Sequence, residues 1–407
     1  MKVGIDARML GYSGIGRYTE NLMREILQID KKNQYVAFVQ KAKEKRFMNY
    51  DLGFKKFINP KSKTLNLKVI EVDAPIYSFK EQYNFLEAVV REKLDVMHFT
   101  HFNRPIFYSR PSVLTIHDLT PIYFPGKKRS SFVEQFAYRL VLKSALKKAN
   151  RIIAVSNFTK KDILKNFSFL DEGKIAVIYE GIARFAEDPK QFANHKSKFL
   201  NLKPYLLYVG VWREHKNLLG LIRAYEKLKQ NSNSIQYWRK CRENEFKKIA
   251  SLKLEDLKNL KLVIVGKPDP YYPEVPEAAE KSPFKKDIIL TGYVSDEELF
   301  LLYQNAAAFV FPSFYEGFGL PPLEAMSYGV PVVSSNAASL PEILGDAALY
   351  FDSKNTEEMA DKIAQALFDG DLRKILVEKG KKQVLKYSWQ KMAQKTLKVY
   401  NKITKKI

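Results

Sequence analysis

The chain has 407 residues, 46% of them hydrophobic and 28% charged, which excludes wholesale disorder and exceeds what one hydrophobic core serves. No apolar run reaches the roughly 18 residues of a spanning helix, and Asp6 and Arg8 interrupt any secretory pattern in MKVGIDARML. Cys241 is the single cysteine, so an intrachain disulfide framework and a cysteine-rich zinc site are excluded and a reducing cytoplasm is expected. The net charge of +23 is uneven: residues 1–200 carry 36 Lys+Arg against 20 Asp+Glu (+16), residues 201–370 carry 20 against 23 (−3), and residues 371–407 carry 12 against 2 (+10). Such an excess attracts phosphate, nucleic acid or anionic lipid, or is simply a lysine-rich soluble surface.

In chain order, the first half alternates strand and helix. Short apolar runs predict strands at Val3–Ile5, Tyr35–Val39, Val69–Val72, Val96–Phe99, Val113–Ile116, Ile152–Val155 and Ile175–Ile178. Helical spacing is present over Tyr18–Ile29 (Leu22, Ile26, Ile29) and over Phe132–Ala149, where Phe136, Leu140 and Leu146 stand amid basic positions. A second series begins at Tyr205–Val209 and continues through a helix at Leu218–Leu228 to strands at Leu262–Val265 and Ile288–Leu290. A helix at Glu297–Gln304 precedes strands at Phe309–Phe311, Val332–Val333 and Leu349–Phe351. Arg184–Lys203, rich in charge with Pro189 inside it and Pro204 after it, reads as a linker, and residues 230–260 as a polar surface insertion. Alternation of this kind implies parallel sheets covered on both faces, in two doubly wound Rossmann-like domains facing each other across a cleft. The expected boundaries are 1–190 for an N-terminal domain on the acceptor side and 191–388 for a C-terminal domain binding the activated donor. Residues 389–407 form a last helix packing back on the first domain, with Met392, Leu397 and Tyr400 on its packing face.

The most informative string is FVFPSFYEGFGLPPLEAMSYGVPVV, at Phe309–Val333. A strand ends at Pro312, a loop carries Glu316, Gly317, Phe318 and Gly319, and Pro321 and Pro322 suit the first turn of a helix holding Glu324. Glycines let backbone approach a ligand, a helix N-terminus offers N–H groups to phosphate, and two carboxylates eight positions apart can each accept from hydroxyls. A plain Gly-Pro turn with solvated acids is the alternative. In GIDARMLGYSGIGRYTENL, Gly11, Gly14 and Gly16 make a turn before a helix, and Arg17 can meet a phosphate or an acceptor. VLTIHDLTPIYFP places His117 and Asp118 at a strand end, where the histidine can donate to a hydroxyl or the His–Asp pair can cap the strand. Ser156 and Asn157, in AVSNFTKKDI, either reach the cleft or cap the helix Phe158–Lys165. YVGVWREHKNLLGLI brings Lys216 to a strand-to-helix loop where an ammonium can reach a diphosphate, and Gly266 and Lys267 end another strand. Ser295 and Glu298 form a capping box.

The string around Glu316 and Glu324 resembles the E-x7-E signature of family-4 retaining glycosyltransferases, and SLPEILGDAALYFD at Ser339–Asp352 extends the resemblance, which covers most of the chain. It implies the GT-B fold and a hexosyltransferase that is retaining and metal-independent, with no cofactor beyond its nucleotide-sugar co-substrate. By the same resemblance Glu316 and the amides of Gly317, Phe318 and Gly319 hold the donor hexose, Glu324 the nucleotide ribose, and Leu320 lies near the diphosphate. Lys216 serves the donor phosphates, and Gly16 the diphosphate or acceptor. The backbone of Tyr293 and Val294 serves the base. His117 meets the donor sugar, which makes His117, Glu316 and Lys216 the catalytic set. Gly14, Arg17, Asp118, Ser156 and Asn157 belong to the acceptor side or its loops. Many relatives have arginine directly after the glycine where Val211 stands, and Arg213 is the available substitute.

The pattern is closest to the mannosyltransferase branch of surface polysaccharide synthesis. That implies GDP-mannose as donor and a glycan or polyprenyl-diphosphate-linked acceptor; the +16 of the first half separately fits a cytoplasmic protein resting on an anionic inner membrane face, with basic helices such as Phe132–Ala149 at the surface. Other UDP- or dTDP-hexose donors, a nucleotide-sugar epimerase of the same fold, and a basic nucleic-acid-binding protein stay open as alternatives. Nucleic acid is not expected as a partner, because that reading leaves Glu316 and Glu324 unexplained. No metal site is expected either: His98 and His101 follow an apolar strand without carboxylates, and Asp369-Gly370-Asp371 reads as a turn after a helix.

Overall fold

A computed structural model describes residues 1–41, 66–127, 131–182, 199, 202–230 and 254–404. Most of the proposed linker Arg184–Lys203 and of the stretch 230–260 lies outside the described residues. The chain divides into two compact units, one comprising Met1–Ile122, Ser131–Gly181 and Tyr387–Ile407, the other Tyr123–Ser130 and Ile182–Lys386.

The first unit holds seven strands, β1 (Lys2–Asp6), β2 (Gln34–Gln40), β3 (Leu67–Val72), β4 (Val96–Phe99), β5 (Ser112–Ile116), β6 (Arg151–Ala154) and β7 (Ile175–Val177). They form one parallel sheet in the order β3-β2-β1-β4-β5-β6-β7. The second unit repeats the plan with β8 (Tyr205–Val209), β9 (Lys261–Val265), β10 (Ile288–Gly292), β11 (Ala308–Phe311), β12 (Val332–Ser335) and β13 (Ala348–Phe351). Its order is β10-β9-β8-β11-β12-β13, again all parallel. Every apolar run singled out in the sequence is a strand. The central strands, covered on both faces, show continuous burial rather than alternation, as in β4, β5, β11 and β12. Each sheet reverses its order once, between β1 and β4 and between β8 and β11, and such reversals leave a crevice at the carboxyl ends of the two strands.

The principal crossover helices of the first unit are α1 (Ser13–Ile29), α2 (Phe132–Lys148) and α3 (Asn157–Asn166). Those of the second are α4 (Leu218–Gln230), α5 (Asp296–Asn305), α6 (Leu320–Ser327), α7 (Thr356–Phe368) and α8 (Gly370–Val384). The last helix, α9 (Trp389–Thr404), returns to the first unit, where the Tyr400 hydroxyl lies 2.6 Å from His98 Nδ1 on β4. Its buried face is Met392, Ala393, Thr396, Val399 and Tyr400, and Leu397 sits at the edge of it. The helix α2 buries Tyr138, Leu142, Ala145 and Leu146, whereas Phe136 and Leu140 point outward at 54% and 49% exposure. The helix α8 was not anticipated, because Asp369 and Gly370 read as a turn; Asp369 in fact caps it, accepting from the Leu372 amide at 2.9 Å.

A buried ion cluster fixes the exit of β1. The Arg8 guanidinium, with its side chain fully buried, donates to both Asp6 oxygens at 2.8 and 2.9 Å and to Glu81 at 2.9 Å. Glu81 opens a π-helical turn, Glu81–Phe85, and the guanidinium lies 3.6 Å from the centroid of the Phe85 ring. Arg8→Met removes the cation from between two buried carboxylates and is expected to destabilise the fold by about 3–5 kcal/mol, read as a lower urea midpoint at unchanged m-value.

Candidate functional site

In the second unit the loops that follow β8 and β11 emerge side by side at the point of strand reversal. The β8 loop ends in a tight turn, Glu214–Lys216, closed by Asn217 in the left-handed conformation (φ 54°, ψ 39°). Its side-chain amide donates to the carbonyls of Pro312 at 3.1 Å and Ser353 at 2.7 Å, and the His215 carbonyl accepts from the Phe314 amide at 2.7 Å. These bonds lock one loop onto the other. The result is that Lys216 Nζ sits 2.5 Å from Glu316 Oε1, an oxygen that also accepts from Ser313 Oγ at 2.7 Å. Both charged side chains are mostly buried, at 14% and 13% exposure, so each is the principal counter-charge of the other. Lys216 also stands 5.7 Å from the Phe311 ring centroid, a cation over an aromatic face.

Gly319 precedes α6 with φ 96°, and a Cβ there would lie 2.8 Å from Leu340 Cδ2, so both backbone conformation and space call for glycine. Pro321 and Pro322 carry no N–H, so donation from this helix start comes from the loop side, Gly317 to Leu320. Phe318 and Leu320 are buried. Glu324 lies on α6 at 2% exposure and accepts from the Tyr303 hydroxyl at 3.0 Å. Tyr303 comes from α5 and stacks on Tyr328 at 5.5 Å between ring centroids. Arg213 reaches the neighbouring strand-end loop, its Nε 3.1 Å from Asp269 Oδ2, with half of its side chain in solvent. Gly266 follows β9, where a Cβ would lie 1.8 Å from the Gly210 carbonyl oxygen, so the two loop backbones meet in direct contact. Tyr293 is 66% exposed and Val294 buried, just before the capping box that Ser295 and Glu298 close with two bonds of 3.2 Å. The segment 123–127 also packs in this unit, Phe124 stacking 6.2 Å from Phe314 and Tyr123 5.2 Å from Tyr315.

In the first unit, side chains tie the strand ends together across the reversal. Thr100 Oγ1 donates to the Asp6 carbonyl at 2.6 Å, His117 Nε2 to the Thr100 carbonyl at 2.9 Å, and Thr159 Oγ1 to the His117 carbonyl at 3.3 Å. His117 Nδ1 lies 3.0 Å from Glu180 Oε1, so both ring nitrogens face oxygen acceptors and the doubly protonated ring satisfies both. Burial disfavours that charge, but the hydrogen bond and negative charge of Glu180 outweigh it and hold the His117 pKa above its ordinary value. Asp118 accepts from the Thr120 amide at 2.8 Å, which holds its own turn. Ser156 is fully buried and caps α3, accepting from the Thr159 amide at 3.0 Å, and Asn157 donates to the Tyr179 hydroxyl at 2.7 Å. Gly16 lies in the first turn of α1, where a Cβ would press to 2.8 Å from the Met9 carbonyl, whereas Gly14 is exposed with open space beside it. Arg17 is half-buried on the same turn.

The structure thus joins Lys216 with Glu316, and Glu324 with Tyr303, inside one unit, while His117, Asp118, Ser156 and Asn157 cluster in the other. Glu180, Ser313 and Tyr303 complete these arrangements and were missed as functional residues, whereas Asn217, expected with His215 to serve its loop, does so. Glu180 alone left a signal, a carboxylate just beyond the strand run AVI. His98 has a structural place, 2.8 Å from Thr115 Oγ1 and bonded to Tyr400, and Asp369 is a helix cap.

Sucrose-phosphate synthase from Thermosynechococcus elongatus matches 100% of both chains with a TM-score of 0.72 at 16% identity. Anabaena Alr3699/HepE, solved in complex with UDP and glucose, matches 99% of this chain and 100% of its own with a TM-score of 0.70 at 14% identity. Two doubly wound parallel sheets with this likeness define an α/β protein of the GT-B class. Residues 12–184 match the family model described as Glycosyltransferase Family 4, and residues 189–383 that described as Glycosyl transferases group 1. The chain belongs to the family-4 glycosyltransferases. It is 32% identical over 298 residues to the O-antigen chain mannosyltransferase B of Escherichia coli, covering 71% of this chain and 70% of the relative. It is 29% identical over 296 residues to the O-antigen chain mannosyltransferase RfbU of Salmonella typhimurium, covering 68% and 70%.

Two predictions follow from this geometry. Asn217→Ala leaves the Pro312 and Ser353 carbonyls unpaired and puts alanine at positive φ, with an expected loss of about 2–3 kcal/mol in chemical denaturation. The histidines differ in sign. His98 is held neutral, mainly by burial and then by the charge of His117, with its pKa pushed down to about 3. Burial first, then Lys216 and Arg213, keep that of His215 well below the ordinary value. Stability from these two is present above the unfolded value of about 6.5 and is lost as pH falls below it, whereas the His117 contribution is present below about 6.5 and is lost as pH rises through its raised value. Imidazole NMR from pH 5 to 8 should show His98 and His215 uncharged throughout and His117 titrating latest; a His98 midpoint near 6.5 contradicts this.

Proposed function

We propose that the protein is a retaining hexosyltransferase that moves mannose from GDP-mannose to a glycan or polyprenyl-diphosphate-linked saccharide in surface polysaccharide synthesis. The observation that carries the reading is the juxtaposition of Lys216 and Glu316 at the strand reversal of the second unit, beside the glycine loop that starts α6. The mannosyl and polysaccharide assignments are supported by the two O-antigen mannosyltransferases among the relatives.

On this reading the donor enters as a pyrophosphate and a hydroxylated ring together. Lys216 gives its ammonium to the diphosphate, and Glu316, released from it, accepts from hexose hydroxyls alongside the amides of Gly317 to Gly319. Glu324, oriented by Tyr303, receives the ribose, Leu320 borders the diphosphate, and the backbone of Tyr293 and Val294 borders the base. Arg213, freed from Asp269, is a second cation for the leaving group. Gly266 admits the nucleotide close to backbone, and Gly16 does the same on the first unit. His117 is assigned to the donor hexose, which requires Nε2 to exchange the Thr100 carbonyl for a sugar hydroxyl. Arg17, Asp118, Ser156, Asn157 and the open Gly14 are assigned to the acceptor side or to shaping its loops.

The bond from the anomeric carbon to the diphosphate oxygen breaks as the acceptor hydroxyl attacks the same face. The acceptor proton passes to the departing diphosphate, so configuration is retained without a covalent sugar–enzyme intermediate. Lys216 and the loop amides at the start of α6 stabilise the charge that develops on the leaving group, the role this reading gives to side chains in place of a divalent ion. No organic cofactor takes part in the proposed reaction.

Incubation with a panel of nucleotide sugars and a lipid-linked or glycan acceptor should release free nucleoside diphosphate only when the acceptor is present, fastest with GDP-mannose. Mass spectrometry of the product then reads one added hexose. Glu316→Gln should lower turnover by at least about 100-fold while thermal unfolding stays cooperative; full activity in that variant removes Glu316 from the site.

A further inference from the structure

Lys216 and Glu316 stand on two separate loops, and a segment distant in sequence lies against both. Tyr123–Ser130 belongs to the second unit, although Ile122 before it and Ser131 after it belong to the first. Phe124 stacks on Phe314, with 6.2 Å between ring centroids and 7° between planes, and stands 6.0 Å from the His215 ring. These two neighbours are joined by a backbone bond between the loops, the Phe314 amide donating to the His215 carbonyl at 2.7 Å. His215 directly precedes Lys216, and Phe314 stands two positions before Glu316. Tyr315, between Phe314 and Glu316, is buried with its ring 5.2 Å from that of Tyr123. The other end of the segment is tied to the loop after β9. Gly126 has φ 77°, and a Cβ there would lie 3.0 Å from the Tyr272 hydroxyl. The Lys127 amide donates to that hydroxyl at 3.3 Å, and the Lys127 ammonium pairs with Glu274 and stands 5.5 Å from the Tyr272 ring centroid. The order β9-β8-β11 makes these three loops neighbours at one edge of the sheet. Two strand spacings come to about 10 Å, and residues 123–127 reach about 17 Å when extended.

We propose that Tyr123–Lys127 is a strap that positions the Lys216–Glu316 pair for sugar transfer, with the Phe124 ring holding the bond between Phe314 and His215 closed. The proposal rests on the reading of that pair as the donor site and names what keeps its two halves in register. The need for a strap follows from the chemistry. In the empty site the bridge between Lys216 and Glu316 itself joins the loops. On the proposed reading the donor opens that bridge, so the loops lose a tie at the moment when their spacing matters most. What remains is the Asn217 side chain and the Phe314–His215 bond. A flat ring against both residues of that bond keeps water from competing for it and lowers the local dielectric, which strengthens it. A misplacement of about 1 Å in groups that position a substrate costs on the order of 100-fold in rate, so Phe124 sets turnover without touching the sugar. It is a positioning residue.

The test pairs amide hydrogen exchange at Phe314 with steady-state kinetics of the full chain, GDP-mannose being the varied substrate. Phe124→Leu keeps the bulk and removes the flat ring. It should speed exchange of the Phe314 amide by at least about tenfold while the β11 amides exchange as in the parent. It should also lower kcat by about tenfold or more with the donor KM within about threefold of the parent, a split that lost packing alone does not produce. Phe124→Tyr keeps the ring and should restore both values. Lys127→Gln releases the other end at an exposed ion pair, where folding is not at risk, and should move exchange and kcat in the same directions by about twofold. Unchanged Phe314 exchange in Phe124→Leu overturns the proposal, as does parental kcat in that variant or a loss in Phe124→Tyr as large as in Phe124→Leu. If Phe124→Leu does not fold, Lys127→Gln decides, and parental exchange and kcat there overturn the proposal. A parent that transfers no sugar, with Phe314 still freed in Phe124→Leu, sinks the donor-site reading and leaves the hold on the two loops standing.

Discussion

A wholly parallel sheet cannot be closed by hairpins, so every strand must be followed by a crossover over one face or the other. Where the order of strands reverses, successive crossovers leave toward opposite faces, and the ends of the two adjacent strands are left open to their own loops. In this chain that constraint operates twice, at β1/β4 and at β8/β11, and the residues with a chemical part to play follow from it. Lys216 trails β8 and Glu316 trails β11, which brings together side chains 100 positions apart. In the other sheet the same reversal is sewn shut by Thr100 and His117, whose bonds extend the strand ladder past its last backbone pair.

The two reversals are built differently. The second unit keeps its cation and carboxylate paired with each other, held by Asn217 and Ser313, in a site whose charges nearly cancel. The first unit places the His117 imidazole over strand ends, where Glu180 favours its charged form, while the acid–base cluster of Asp6, Arg8 and Glu81 is sealed beneath. Mobile partners suit a group that must change partners on binding, and sealed ones suit a group that must not.

The strands were legible because doubly covered strands are largely apolar on both faces, and runs such as VLTI and AFVF read as buried strands between polar loops. The Glu316 loop was legible because glycines and prolines fix its backbone and because its string matches a known family. Strand order was not legible, since burial says that a strand is central without saying beside which neighbour. The helix α8 was hidden by Asp369 and Gly370, a cap that spells like a turn. The partnerships of Glu180 with His117 and of Tyr303 with Glu324 depend on packing between elements far apart in sequence, which no local pattern carries.

The pairing of Lys216 with Glu316 has a bearing on what leaves the enzyme. On the proposed reading an intact nucleotide sugar compensates both members when it separates them, offering phosphate to one and hydroxyls to the other. A spent nucleoside diphosphate compensates only the ammonium and strands the carboxylate. The internal bridge then competes with the by-product for the same lysine, and its reclosure favours expulsion, so an empty site is the resting condition to which the catalyst resets itself after each cycle.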